Sequence, residues 1–194
     1  MAMTQTNICN LALSKLGAEQ IITMTPPSET NAKRCNVWWS QTVGMCLEAH
    51  PWTFAMGRAT LAQLSEEPAF DFAYYYQLPG DFLKDILVNG DRESAYEIEG
   101  DRIITDLSEV NLLYTKRLDN AYLWPSEFCM MVAMLLAANM AVLFKGVNKA
   151  QVRDLMNEYA FWEGRAKTSD ARKGNDVVLN KQLASDPPYV KARQ

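Results

Sequence analysis

Apolar side chains recur at helical intervals in the first and last thirds of the chain, and in short runs broken by turn residues between them. Ile8, Ala12 and Leu16 stand at i+4 steps, with Thr4 or Thr6 available as a cap and Gly17 as a stop, which predicts a helix over 5–16. After the Pro26-Pro27 break, Ser28 is the expected N-cap of a second helix running to about Ala49. Ala32, Cys35, Trp39, Thr42, Cys46 and Ala49 repeat every three or four residues and mark its buried stripe, and Trp38 lies beside it. From Thr53 to Leu118 the runs "TFAMGRATL", "AYYYQL", "FLKDILV", "YEIE", "RIIT" and "VNLLYTKRL" are rich in aromatic and β-branched residues, as strands are. Asn89-Gly90 and Glu99-Gly100 punctuate them as hairpin turns.

Pro125 suits the first position of a third helix, whose core "FCMMVAMLLAANMAVLF" (128–144) is apolar all round apart from Asn139. Such a run is either a membrane span or a helix buried on every side. At 1.5 Å per residue it reaches about 26 Å, short of a hydrocarbon core of roughly 30 Å, which favours burial. Ala133, Ala137 and Ala141 line up for close approach of a neighbouring helix. Asn148 caps a fourth helix over Lys149–Lys173, with the stripe Val152, Leu155, Tyr159, Trp162 and Ala166 and a surface pair Glu163–Lys167. Beyond Gly174, "NDVVLNKQLASDPPYVKARQ" has little periodicity.

The expected fold class is therefore α+β. Residues 1–50 and 122–173 make a bundle of four helices, 53–118 an inserted antiparallel β-sheet lobe, and 174–194 an extended C-terminal tail.

Charge narrows the function. A net charge of −4 opposes tight nonspecific binding to nucleic acid, which depends on Lys and Arg neutralising phosphates. Cys9, Cys35, Cys46 and Cys129 lie in helical runs without C-x-x-C spacing, so free buried thiols of a reducing compartment are expected, and no metal site. "MAMTQTNICN" lacks the basic start and apolar stretch of a secretory signal, which predicts synthesis and retention in the cytoplasm.

Candidate chemistry is sparse. His50 is the one histidine, and Ser-His-acid catalysis needs such a base, but Pro51 forces residue 50 out of helical geometry, so the pair reads as the end of the second helix. Asp81, Asp85, Glu97, Glu99, Asp101 and Asp106 crowd the sheet region, and two carboxylates across a cleft could hydrolyse a glycan. Nothing in the sequence singles out a pair, and turn chemistry accounts for them better, with Asp81 after Pro79-Gly80 and Asp101 after Gly100. No G-x-x-x-x-G-K, G-x-G-x-x-G or G-x-S-x-G stretch is present. What stands out instead is aromatic content in "VWWSQ", "FDFAYYYQL" and "AYLWP", of the kind that anchors protein interfaces.

The order of elements, together with "ICNLALSKLGAEQI", "ETNAKRCNVWW", "LEAHPWTFAMGRATLA", "PAFDFAYYYQLPGDFLKDILV", "YEIEGDRIITD", "VNLLYTKR" and "WPSEFCMMVAMLLAANMA", resembles the tail tubular protein A family, the head-to-tail adaptors of short-tailed bacteriophages. The resemblance covers about residues 7–173. It implies a structural protein of the virion tail, assembled in the host cytoplasm, with no reaction and no cofactor. It also implies a ring, commonly of twelve subunits, seated between the portal protein and the tail nozzle protein, through which DNA passes without specific binding and with no membrane involved. Trp38, Trp39 and Tyr75 are the expected anchors between subunits, and Pro187, Pro188 and Tyr189 the contacts of a tail reaching along the portal. The rival expectation is a tail-associated glycan hydrolase using a carboxylate pair of the sheet lobe.

Overall fold

A computed structural model describes residues 3–91 and 94–173. The expected tail 174–194, with Pro187, Pro188 and Tyr189, lies outside the described residues. The fold is α+β, with four helices and two small antiparallel sheets in the expected order.

Helix α1, Gln5–Lys15, is closed at both ends by local chemistry. Thr4 Oγ1 accepts from the Asn7 backbone N–H (3.0 Å), and Asn7 Oδ1 accepts from the Thr4 N–H (3.0 Å), a reciprocal capping box. At the other end Ala18 N–H reaches Leu13 C=O and Gly17 N–H reaches Ser14 C=O, a Schellman closure that needs the left-handed φ of 65° Gly17 supplies. Helix α2 spans Thr30–Glu48, not from Ser28: its N-cap is Glu29, whose carboxylate turns back to the Ile22 N–H (3.1 Å) rather than capping the helix. Ala32, Cys35, Trp39, Thr42 and Cys46 are buried as the stripe requires. Val43 and Leu47 join them, while Ala49, past the helix end, is half-buried.

Six strands follow: β1 Met56–Thr60, β2 Tyr74–Gln77, β3 Phe82–Val88, β4 Tyr96–Glu99, β5 Arg102–Thr105 and β6 Asn111–Lys116. They form two three-stranded antiparallel sheets, β1-β6-β3 and β2-β5-β4, where sequence pattern indicated one sheet lobe without resolving its halves. Between the sheets sits a second core including Leu61, Tyr76, Ile103, Leu112 and Tyr114. Glu99-Gly100 closes the β4–β5 hairpin, as its spacing predicts. Asn89-Gly90 does not join β3 to β4. It makes a tight turn with one bridge, Val88 to Asp91, while β3 pairs with β6 instead, its Val88–Leu112 pair buried in the core between the sheets. Asn89 is held there by the Asn111 N–H and its own donation to Glu109 C=O.

Helix α3, Ser126–Met140, is the axis of the bundle, with α1, α2 and α4 (Lys149–Lys173) packed around it. Pro125 is its N-cap rather than its first residue. The apolar run is long enough to pass for a membrane span by composition, yet most of it is buried inside the protein. Asn139, its polar exception, donates to Thr42 Oγ1 on α2 (3.0 Å), so the group is paired rather than stranded. The burial is not complete to residue 144 as expected: a 3-10 turn at Ala141–Leu143 leaves Val142 82 % exposed. On α4 the predicted stripe is covered, Leu155 and Ala166 fully and Val152, Tyr159 and Trp162 in part, and Lys167 pairs with Glu163 at 2.8 Å.

Candidate interaction surface

The passage from bundle to lobe is built by His50-Pro51-Trp52. Trp52 is buried, donates its indole N–H to Cys46 C=O (2.8 Å), and meets the edge of Phe128 at 5.2 Å. Asp170 of α4 reaches across to receive the Thr53 N–H (3.0 Å) and the Thr53 hydroxyl (2.6 Å). Arg117, just after β6, donates to Ser40 C=O on α2 (3.0 Å) and to Asp119 (2.6 Å). Lobe and bundle are thus tied at two points by charge-assisted hydrogen bonds.

His50 stacks edge-on against Trp52 at 4.9 Å, with Nε2 3.8 Å from Asp170 Oδ2. Burial pulls its pKa below the usual histidine value; the Asp170 charge works against that shift, Lys167 reinforces it and Glu163 opposes it. The imidazole therefore belongs to the joint, as the Pro51 argument predicts.

The acidic residues of the lobe are spread among structural tasks. Asp81 accepts from the Tyr114 hydroxyl (2.9 Å) and Asp85 from the Tyr96 hydroxyl (2.6 Å), and both phenols are pushed up to about 12, by burial first and by these bonds second. Asp101 accepts from Gln77 Nε2 (3.1 Å), and Asp106 accepts the Ala73 N–H (2.9 Å). Glu97 and Glu99 are exposed on β4. Among the described residues no three His, Cys, Asp or Glu side chains gather as metal ligands. All four cysteines are buried thiols; burial raises Cys46, and Cys129 to about 11.

The interface candidates separate. Trp39 is 8 % exposed and stacked on Trp124 at 5.9 Å, which spends its surface inside its own chain. Trp38 is half-buried beside the bundle core. Tyr75 is half-buried under the Arg102 guanidinium, 5.2 Å from its ring centre, with Arg102 also held by Glu66 at 2.8 Å. The aromatic strings quoted above also leave large apolar side chains in the open: Val37 in the first, Phe70 in the second, Tyr122 and Leu123 in the third. Val37 was missed because valine in a helix attracts no attention alone. Its signal is position, off the buried stripe and eight residues from Met45, also exposed, on the same face of α2.

No protein-family model matches the chain, and no curated protein sequence matches it.

Proposed function

We propose that this chain is a structural head-to-tail adaptor of a phage tail, forming a ring between portal and nozzle and leaving a channel for the genome. The observation that carries the reading is the uncovered apolar surface of the bundle: Val37 and Met45 on α2, and Tyr122 and Leu123 in the 3-10 turn just before α3. Large apolar side chains left uncovered on a folded domain are candidates for contact surfaces, because their burial against a partner supplies affinity. Trp38 is placed to extend that contact; Trp39 acts through packing beneath it. Charge is consistent with a conduit, since twelve copies at −4 each carry about −48, which disfavours adhesion of DNA to the wall.

The test is electron microscopy and light scattering of the purified protein alone and mixed with the portal protein. Rings stacked on portal are expected. A permanent monomer indifferent to portal overturns the reading, and so does release of reducing sugar from capsule or cell-wall glycan that is lost on Asp81→Asn or Asp101→Asn.

A further inference from the structure

The lobe carries complementary charge on its two opposite sides. Side chains alternate along a strand, so in the β2-β5-β4 sheet Tyr76 and Ile103 point into the lobe core, while Glu97 and Glu99 point away from it. In the β1-β6-β3 sheet Leu112 and Tyr114 point inward, and the cross-strand row Arg58, Leu113, Leu87 points outward. That outward row lines a hollow of about 300 Å3 in the part of the sheet farther from the bundle joint. Its floor is apolar, with Leu87 buried and Leu113 half-buried, while Arg58 on the rim is exposed and has no ion pair among the described residues.

The opposite side presents the reciprocal chemistry. β4 is an edge strand, paired only with β5, and its Glu97 and Glu99 are exposed with no ion pair among the described residues. Two copies of a chain with net charge −4 repel one another, so a contact that joins opposite charges over apolar surface is favoured. Arg58 over the Leu87–Leu113 floor is such a place.

We infer that this hollow receives the acidic β4–β5 hairpin of a second copy of the chain, with Arg58 meeting Glu97 and Glu99. The two surfaces differ and lie on opposite sides of the lobe, so the contact is head-to-tail, the type from which rings are closed. The inference rests on the ring reading and supplies one of its lateral contacts.

Charge exchange tests it. Arg58→Glu and the pair Glu97→Lys, Glu99→Lys are expected each to weaken self-assembly tenfold or more by light scattering, with the unfolding midpoint unchanged because the altered side chains are exposed. A mixture of the two variants pairs each hollow with the other variant's hairpin in opposite charge, so it should regain rings of alternating subunits although neither variant forms them alone. A chain carrying all three exchanges should regain rings. Rings that tolerate either half of the exchange, or a triple variant no better than its parents, overturn this contact alone and leave the adaptor standing. If the wild-type chain forms no ring with or without portal, both readings fall. A hollow that serves a different tail protein would show itself as self-assembly indifferent to the exchange.

Discussion

Replacing Asp170 by Ala should loosen the joint between bundle and lobe by about 3 kcal/mol. Among the described residues Asp170 is the buried carboxylate, 4 % exposed, and it accepts two distinct donors from one residue: the Thr53 N–H at 3.0 Å and the Thr53 hydroxyl at 2.6 Å. A hydrogen bond to a charged group is worth about 1.5 to 3 kcal/mol net, and because Thr53 is itself exposed the low end applies to each, giving the total of about 3. His50 adds little, since its Nε2 is 3.8 Å away and burial favours its neutral form. Thr53→Ala removes only the hydroxyl and should cost about half as much. The assay is urea unfolding of the whole chain, reading the midpoint at constant slope, for both single variants and the double. In the double-mutant cycle the two losses should not add, because they share one contact. A loss below about 0.5 kcal/mol for Asp170→Ala, or strict additivity, would refute the view that this carboxylate ties α4 to the start of the lobe.

Two further outcomes follow from packing and from titration. A Cβ on Gly57 would stand 2.6 Å from the Tyr114 ring, so Gly57→Ala should destabilise the lobe by about 1 to 3 kcal/mol in the same urea assay, and Tyr114→Val in that background should recover part of the loss; an unaffected midpoint contradicts the close approach. Tyr96 and Tyr114 are each raised to about 12 from an ordinary value of 10.0, so between those values the folded state holds protons that the unfolded chain has released. Stability should therefore fall as pH rises from 10.0 towards about 12, and Tyr96→Phe with Tyr114→Phe should flatten that fall in thermal unfolding; an unchanged slope would count against the buried phenols.

How much of this was legible in the sequence depends on how far the deciding partner lies along the chain. Both ends of α1 could be read, because Thr4–Asn7 and Leu13–Ala18 close within a few residues. The start of α4 could be read for the same reason, with Asn148 and Gln151 capping each other reciprocally. Adjacent tryptophans on α2 point in different directions, and the three- and four-residue spacing already placed Trp39 on the inner stripe; the structure spends that ring against Trp124. The apolar surface at Val37 and Tyr122 was not legible, because a sequence lists apolar residues without saying which of them find cover.

What the sequence by itself determined is the set of elements and their order, since helical period, strand alternation, caps and turns are short-range properties of the chain. Only the tertiary structure decided that the six strands divide into two sheets, that β3 turns away from β4 to pair with β6, and that Asp170 holds Thr53 across 117 positions. Strand alternation is the same whichever neighbour a strand takes, and a carboxylate's partner is chosen by which elements pack together. Those choices are made by the burial of two separate cores, and with them came the opposed charged faces of the lobe.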